Sequence, residues 1–529
     1  MVRRPLHALA RFVPHTIVLL ASMAVMIVEL VASRLIAKYV GNSLFTWTSV
    51  IGIVLGGISL GNWIGGKLAD RHSPRRVIPW VLFAGSLLTV LIVVLDLAVG
   101  RITDVLGTGA ITLSVLLRSV VLITILFFLP CCAYGCVSPI MAKYALQERE
   151  RIGSTVGGIY AAGSLGGIAG TFLTGYLLIP ALGLTAIILL VAIVLGLLAI
   201  AMGGRRLVSG AWLAALIVMF ALAATGATPK LLARELVGGA GEARLLYVKD
   251  SPYSYIQVAD RKAGATTERT LRLDALIHNR YDPRRPDALL YDYERIFASL
   301  TRTEVEERLG TGTFSTLTLG GGAFTLPSYL QRHYPQSANT VVEIDPDVVE
   351  VAHRYFDLPR DSPIRIRTQD ARTYVEAVQG KDLYDIIYCD AFNAFSVPYH
   401  LTTKEFTQEA AALLSERGIF LANVIDILSS GRFLAAYLAT VETAFPSVAV
   451  YMPAGSGSDG RTTFVVAARK RGAFAEILRD REGGVVATQL TQGQTAMLTR
   501  RSGSVVLTDN HAPVDNLMAP VFLRSVRQR

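Results

Sequence analysis

The chain has 529 residues, of which 52% are hydrophobic and 17% are charged, and its formal net charge is +10. This length exceeds that of one ordinary domain, and the apolar content excludes a chain that is soluble throughout. A positive charge can indicate nucleic-acid binding, but much of this excess flanks apolar runs in the N-terminal half. It therefore indicates membrane topology, and we expect no nucleic-acid partner.

The N-terminal half carries seven apolar runs long enough to cross a bilayer, which takes about 20 residues each. They cover residues 15–37, 44–65, 77–99, 111–129, 156–179, 184–202 and 208–224. Basic residues cluster before the first run and after the second, fourth and sixth, so the positive-inside rule places the N-terminus in the cytoplasm. We expect a multi-pass protein of the cell membrane with lipid as a partner. Seven crossings would leave the C-terminal half outside, which conflicts with cytosolic nucleoside chemistry and leaves its side open.

Two charged residues, Glu29 and Arg34, interrupt the first apolar run. A charge at membrane depth costs a few kcal/mol unless it finds a partner or water. One interpretation is a polar substrate path or a contact with the soluble half, and the other is a structural ion pair. Glycines at four-residue spacing in the second and fifth runs, such as Gly61 and Gly166, predict close helix packing.

Three of the four cysteines, Cys131, Cys132 and Cys136, lie at the end of the fourth apolar segment, and Cys389 lies in a predicted strand; they form no CxxC pair. No Cys/His cluster has the spacing of a zinc site. We therefore expect neither a structural metal nor a disulfide framework.

From Arg244 the pattern changes to the alternation of β-strands, with a turn at 250–253, and predicts a small antiparallel sheet. Beyond it, short apolar runs alternate with helical segments, which is typical of a mostly parallel sheet with helices on both faces. The predicted fold is thus an all-α seven-helix transmembrane bundle, a small antiparallel β subdomain and an α/β, methyltransferase-like (Rossmann-type) domain. The predicted boundaries are 1–227 for the bundle, 228–242 for a linker, 243–285 for the β subdomain and 286–529 for the α/β domain.

The stretch at 316–345 runs from a short strand through three glycines and a helix to a second strand that ends near an acid. The glycines at 320–322 allow the backbone to turn sharply beside a ligand. Glu343 follows them by about twenty residues, the spacing at which a carboxylate binds a ribose diol. Thr325 stands where a dinucleotide fingerprint has its third glycine, so the pattern favours a single-nucleoside pocket. The alternative is an ordinary βα turn with a surface acid.

Acidic residues also end the next two predicted strands, Asp370 and Asp390. Ligands of such sheets bind where the carboxyl ends of the strands meet. We assign Asp370 to the exocyclic amine of an adenine. Asp390 can hold a cationic amine and take its proton as it attacks an electrophilic carbon, although a loop anchor or N-cap is the alternative.

The chain from about Asp250 to Phe406 resembles the spermidine synthase, or polyamine aminopropyltransferase, family, and the whole chain resembles bacterial fusions of that domain to a membrane half. Tyr291 matches the tyrosine of the family's YHE element. The other matching segments are SPYSYIQV at 251–258 (opening strand), LRLDALIH at 271–278 (LDGxxQ), LGGGAF at 319–324 (GGGDG), VVEID at 341–345 (ribose-binding acid), QDA at 369–371 (adenine-binding GDG), YCDAFN at 388–393 (catalytic DSSD), LTTKEF at 401–406 (LFTxxFY) and LTDNHAPVDNL at 507–517 (tail).

This resemblance implies transfer of an aminopropyl group from decarboxylated S-adenosylmethionine to an amine such as putrescine, leaving 5'-methylthioadenosine. It implies no prosthetic group or metal, and a homodimer. Together with the strand-end acids, it predicts a site of Asp390 and Tyr291 for catalysis, Gly320, Gly321, Gly322, Glu343, Asp370, Ala371 and His278 for the nucleoside, and Asp292, Glu294 and Asn393 for the amine.

Four departures from the family's motifs bear on the substrate. They are His278 for glutamine, Tyr293 for the glutamate after the tyrosine, Ala323 for the aspartate of GGGD and Asn393 for the second aspartate of the catalytic loop. The lost acids would hold ammonium groups, so any amine is held by Asp292, Glu294 or Asp274 instead. Two other functions stay open: methyl transfer from S-adenosylmethionine, and a nucleoside- or polyamine-binding sensor or transport-coupled membrane protein without catalysis.

Overall fold

The computed structural model of the protein describes residues 12–41, 43–108, 115–147, 151–204, 206–224, 243–263, 266–310, 312–381, 383–391, 397–502 and 505–524. Contacts divide the chain into two compact units, one of residues 1–240 with 248–255 and one of residues 241–247 with 256–529. The predicted linker, 228–242, lies outside the described residues.

The first unit is helical, as its apolar runs predict. Its helices are α1 Val13–Val40, α2 Leu44–Arg71, α3 Pro74–Thr108, α4 Val115–Ile123, α5 Leu129–Gly135, α6 Val137–Leu146, α7 Ile152–Leu173, α8 Ile179–Ala181, α9 Leu184–Ala201 and α10 Arg206–Ala224. Two π-helical segments, Thr124–Phe128 and Thr174–Leu178, continue α4 into α5 and α7 into α8.

Six stretches of this unit are long and apolar enough to cross a membrane. They are Val13–Val40, Leu44–Arg71, Pro74–Asp96, Ser119–Leu146, Ile152–Ala181 and Leu184–Ala201. The seventh predicted run falls on α10, which is apolar over Gly210–Ala224. The described residues therefore give six candidate spans where seven were predicted.

Glycines bring two pairs of helices together backbone to backbone. At Gly61 in α2, a Cβ would lie 2.1 Å from the carbonyl oxygen of Cys132 in α5. At Gly166 in α7, a Cβ would lie 2.1 Å from the carbonyl oxygen of Leu19 in α1. Any larger residue would force these backbones apart, which confirms the packing role that the glycine spacing predicts.

The interpretation of Glu29 and Arg34 as an ion pair is wrong. The Arg34 guanidinium donates to the carbonyl oxygens of Pro252 and, at 2.6 Å, Ser251, in the segment 248–255 that belongs to the same unit. A different pair is buried in this unit: Lys38 Nζ lies 3.5 Å from Asp96 Oδ2, with both side chains at most 4% exposed.

A small antiparallel sheet opens the β-rich part of the chain, as its alternating pattern predicts. It holds four strands in sequence order, β1 Arg244–Asp250, β2 Tyr255–Ala263, β3 Thr266–Leu273 and β4 Leu276–Tyr281. One face of β2 and β3 buries Ile256, Val258 and Leu271 against Ala323 and Val348 of the α/β fold.

The α/β fold is a nine-stranded sheet in the order β12-β13-β10-β11-β9-β8-β5-β6-β7. Its strands are β5 Ser315–Leu319, β6 Ala338–Glu343, β7 Arg365–Thr368, β8 Tyr384–Cys389, β9 Leu414–Ile427, β10 Ser447–Pro453, β11 Arg461–Arg469, β12 Ile477–Arg479 and β13 Val485–Gln489. Its helices are α11 Asp292–Glu304, α12 Thr325–His333, α13 Pro346–Tyr355, α14 Ala371–Ala377, α15 Lys404–Ala412, α16 Arg432–Val441, α17 Gln492–Ser502 and α18 Val514–Arg524.

Only part of this sheet is parallel. The strands from β5 to β9 pair in parallel, whereas β11 joins β9, and β10 joins β11 and β13, in antiparallel fashion. The connection between β10 and β11 is too short for a crossover, which needs about a dozen residues or more, so these strands form a hairpin. The prediction of a mostly parallel sheet therefore holds for the half that carries the strand-end acids.

Candidate active site

A tight turn follows β5 and brings the glycines under the end of β8. Gly320 has φ +95°, and a Cβ there would lie 2.5 Å from the carbonyl oxygen of Asp390. Gly322 has φ +50°, and Phe324, which precedes α12, has φ +58°. Glycine adopts the backbone conformations of Gly320 and Gly322 without strain, and there is no room for a side chain at Gly320. This turn therefore requires glycine.

Glu343, at the end of β6, holds this turn. One carboxylate oxygen accepts from the amides of Gly321 at 2.8 Å and Gly322 at 3.3 Å, and the other accepts from the Asp345 amide at 3.0 Å. Burial raises the pKa of Glu343, and these three amides oppose that rise. A carboxylate offers about four acceptor sites, so Glu343 keeps capacity for ligand hydroxyls.

Asp370 follows β7 and caps α14. Its Oδ1 accepts from the Thr373 amide at 2.9 Å, and its Oδ2 lies 3.3 Å from His400 Nε2. Burial acts to raise the pKa of Asp370, but the bonds to Thr373 and His400 outweigh it and the pKa is lowered. Ala371 is buried as the first residue of the helix.

Asp390 follows β8 and is partly buried. Asn423 in the neighbouring strand β9 donates from Nδ2 to its Oδ1 at 2.9 Å, and the Tyr293 hydroxyl of α11 also donates to its carboxylate. Burial raises the pKa of Asp390 to about 6, the charge of Glu343 adds to the rise, and the two hydrogen bonds oppose it.

Glu294 lies beside Asp390 in the first turn of α11 and is only 2% exposed. Its Oε1 accepts from Asn279 Nδ2 at 3.2 Å and from the Thr325 hydroxyl, and its Oε2 has no partner among the described residues. Burial raises the pKa of Glu294 to about 7, and the negative charge of Asp390 adds to the rise. The two acids therefore interact directly.

The buried polar atoms that have no partner within the described part of the chain include Asn279 Oδ1 and Asn423 Oδ1, whose side chains bond the two acids. They also include Gln257 Nε2 and His278 Nε2 in the antiparallel sheet. Burial lowers the pKa of His278 to about 4, so its ring is neutral and can give or accept one hydrogen bond at each nitrogen. A buried polar atom without a partner costs about 1–3 kcal/mol, so this set fits a polar ligand better than a closed core.

The remaining predicted residues are Tyr291, Asp292 and Asn393. The Tyr291 hydroxyl donates to the Ile277 carbonyl at 2.8 Å, and its ring packs 5.7 Å from that of Tyr293. Asp292 is exposed, and its carboxylate lies 3.9 Å from the guanidinium of Arg295. Asn393 lies outside the described residues, in the gap at 392–396.

The structure also adds residues that the sequence reasoning missed. Asn279, Thr325 and Asn423 supply hydrogen bonds to the two acids, and Tyr293, noted only as a departure, contacts Asp390. The signal for Asn423 was a polar residue inside the apolar run FLANV of β9, next to the strand that ends at Asp390. In the described ranges no group of three or more His, Cys, Asp or Glu side chains could hold a metal ion.

Comparisons with known proteins match the same region. A sequence model of the spermine/spermidine synthase domain matches residues 312–470. A polyamine aminopropyltransferase of Vibrio vulnificus is 43% identical over 109 residues, which are 20% of this chain and 36% of that protein. An N-terminal histidine N-methyltransferase of Emericella nidulans is 30% identical over 244 residues, 42% of each chain.

The chain thus spans less than half the length of either relative. The crystal structure of a probable spermidine synthase from Corynebacterium glutamicum aligns over 52% of this chain and 99% of that chain, with 24% identity and a TM-score of 0.43. The match to the domain model covers the glycine turn, Glu343, Asp370 and Asp390. Residues 312–470 of this chain therefore match the spermine/spermidine synthase domain.

Proposed function

We propose that this protein is an aminopropyltransferase that moves the aminopropyl group of decarboxylated S-adenosylmethionine to a small amine. The observation that carries the proposal is the pair of acids, Asp390 and Glu294, whose hydrogen bonds come only from neutral groups in the described part of the chain. Two neighbouring desolvated carboxyls without a cation are costly, and an ammonium group between them offsets that cost.

The nucleoside side of the reaction is assigned to the glycine turn and the strand-end acids. Glu343 would accept the ribose hydroxyls, because its oxygens keep acceptor capacity beside the amides of the turn. Asp370 would accept the adenine amine at the start of α14, flanked by Ala371, and His278 would add one neutral hydrogen bond. The co-substrate is thus held at the carboxyl ends of three neighbouring strands, where α/β sheets bind ligands.

In the reaction, a neutral amine nitrogen attacks the carbon next to the sulfonium sulfur. The new C–N bond forms as the C–S bond breaks, and the sulfur keeps the bonding pair and leaves as the thioether of 5'-methylthioadenosine. Asp390 takes the proton that the nitrogen loses, and Asn423 and Tyr293 hold its carboxylate in place. Glu294 pairs with a second ammonium of a diamine, and Tyr291, packed on Tyr293, completes the amine wall.

Mass spectrometry of the products tests this proposal. The purified full chain is incubated with decarboxylated or intact S-adenosylmethionine and a panel of amines, and the amine is expected to gain one aminopropyl group. Asp390→Asn should lower the rate by about 10²–10⁴-fold, the usual contribution of general base catalysis, while nucleoside binding persists. Asp361→Asn, a change at an exposed acid, is the matched control and should keep full activity.

Gain of a methyl group instead would replace this proposal with methyl transfer, the activity named for the Emericella relative. The departure from the family motif at Ala323 is the reason for including intact S-adenosylmethionine in the experiment. Ala323 is 1% exposed in an apolar cluster, so it gives no carboxylate to attract a free aminopropyl group or repel a methionine carboxylate. Retained turnover in Asp390→Asn would remove the role assigned to that acid.

The same proposal places the enzyme in a membrane. The six apolar stretches supply enough hydrophobic length to anchor it in the cell membrane. We also propose a homodimer, by the family resemblance alone, and sedimentation of the detergent-solubilised chain tests it.

A further inference from the structure

The segment 507–509 lies beside the acid that we assign to the adenine amine. The Asp509 carboxylate pairs with both terminal nitrogens of Arg372, in the first turn of α14, at 2.6 Å and 2.7 Å. The side chain of Arg372 is only 14% exposed, so water and salt screen this pair less than a pair on an open surface. The segment therefore holds the start of α14, the helix that Asp370 caps.

The backbone of the same segment is bound to two further helices. The Leu507 carbonyl accepts from the Lys404 amide at 2.8 Å, and the Leu507 amide donates to the Thr440 hydroxyl of α16 at 2.9 Å. The Asp509 amide donates to Glu405 Oε2 at 3.0 Å. Because Lys404 and Glu405 are the first two residues of α15, the segment joins the start of α15 to the start of α14.

The turn Tyr399–Leu401 leads into α15 and brings His400 to Asp370. Arg372 donates to the His400 carbonyl at 3.3 Å, and His400 Nε2 lies 3.3 Å from Asp370 Oδ2. The pKa of Asp370 is lowered, so its carboxylate is ionised at neutral pH and offers only acceptors. The His400 ring therefore carries a hydrogen on Nε2 and donates it to Asp370.

The bond to His400 goes beyond what helix capping requires. To cap α14, Asp370 needs only its Oδ1, which accepts from the Thr373 amide at 2.9 Å. His400 fixes the other oxygen, Oδ2, and so restricts rotation of the carboxylate. Because a carboxylate offers about four acceptor sites, acceptor capacity remains for a ligand N–H group. A 6-amino group would meet an acceptor that is already oriented, whereas a 6-carbonyl group would face another acceptor.

We propose that His400 is a specificity-determining residue for the nucleobase, and that Asp509, through Arg372, is the positioning residue that holds His400 in place. The inference rests on the function proposed above, in which Asp370 accepts the 6-amino group of adenine. Asp509 reaches the ligand only through the turn that carries His400, since its partners are Arg372 and the start of α15. The segment 507–509, which the sequence matches to the tail of the family, thereby becomes part of the nucleoside site.

Calorimetric binding of 5'-methylthioadenosine and 5'-methylthioinosine to the full chain in detergent tests this inference. The inosine ligand has a carbonyl in place of the 6-amino group, and wild type should prefer the adenosine ligand by at least about tenfold. His400→Ala should weaken adenosine binding about threefold to tenfold, as loss of one hydrogen bond does, and should leave inosine binding unchanged. His400→Gln, which offers an N–H donor in place of the imidazole, should restore the preference.

Asp509→Asn keeps the shape of the side chain and removes the charge that holds Arg372. It should lower the preference for the adenosine ligand about twofold to fivefold, as loss of one ion pair does. Combined with His400→Ala, it should cause no further loss, because two changes that act through one group are not additive.

Two control variants should leave both affinities at the wild-type level. His333→Ala removes a ring that bonds to the Tyr329 carbonyl of its own helix, α12. Glu350→Gln removes the charge of another carboxylate that pairs with arginines, Arg354 and Arg360, near α13.

Equal weakening of both ligands in His400→Ala would reduce His400 to a structural role and overturn the inference. An unchanged preference in that variant, no recovery in His400→Gln, or additive losses in the double variant would overturn it as well. Wild-type protein that binds neither nucleoside would remove the proposed function and this inference with it. Wild-type protein that binds and discriminates, with variants that do so equally, would remove this inference alone.

Discussion

At the scale of single residues, the proposed chemistry depends on two buried acids that receive only neutral hydrogen bonds from the described residues. Asp390 comes from the end of β8 and Glu294 from the first turn of α11, and Tyr293 and Asn423 fix the first of them. Burial raises the pKa of both acids, and the charge of Asp390 adds to the rise at Glu294.

The pH dependence of stability follows from the pKa of Glu294, raised from 4.5 to about 7. The folded protein binds the proton of the Glu294 carboxyl more tightly than the unfolded chain does. The stabilisation that this proton gives to the fold is therefore full below about pH 4.5 and is lost as pH rises through about 7. The free energy of unfolding of Glu294→Gln minus that of wild type should therefore rise by about 1–3 kcal/mol from pH 5 to pH 8, at about 1.36 kcal/mol per pKa unit.

Thermal unfolding of the full chain in detergent at the two pH values measures this gain. Glu482→Gln, at an exposed acid, is the control and should show no such change. An equal difference between wild type and Glu294→Gln at both pH values would contradict the assignment.

Activity should show the pKa of Asp390. This carboxyl, with its pKa raised to about 6, accepts a proton from the amine only when ionised, so kcat/KM should fall as pH drops below about 6. Asn423→Ala removes a hydrogen bond that lowers this pKa and should move the acidic limb to higher pH. A profile that stays flat down to pH 5, or an unshifted limb in the variant, argues against Asp390 as the base.

At the scale of elements, close helix contacts depend on glycines. Alanine in place of glycine stabilises a helix by about 1 kcal/mol where there is room. Gly66→Ala should do so, since its Cβ would meet nothing within 4 Å, whereas at Gly61 on the same helix the Cβ would meet a backbone oxygen of α5 at 2.1 Å. We expect Gly61→Ala to lower the Tm in detergent and Gly66→Ala to keep or raise it. Equal Tm values would show that α2 and α5 do not pack as described.

At the scale of the whole molecule, the number of crossings decides where the synthase domain lies. Six crossings would return the chain to its starting side and, with a cytoplasmic N-terminus, give a cytoplasmic domain, whereas a seventh crossing through α10 would place the domain outside. The four native cysteines are buried and give low background. Asp361→Cys, at an exposed position, should react with membrane-impermeant maleimide only in lysed cells. Labelling in intact cells would place the domain outside.

The sequence determined the order of the elements, because hydrophobic periodicity and turn residues are local properties. It located the glycine turn and the acids at the ends of β6, β7 and β8, since parallel strands bring their carboxyl ends to one edge. It also identified the family from short motifs that line this edge, and residues 312–470 match it.

Only the tertiary structure decided which side chains meet. Asp292 and Glu294 are two residues apart in α11, yet one is exposed and the other buried, because a step of two residues turns a helix by more than half a circle. Partners such as Asn279 and Asn423 lie on separate strands, and the pairing of Arg34 with Ser251 joins residues more than two hundred apart. Local pattern carries no information on such contacts, because packing of distant segments creates them.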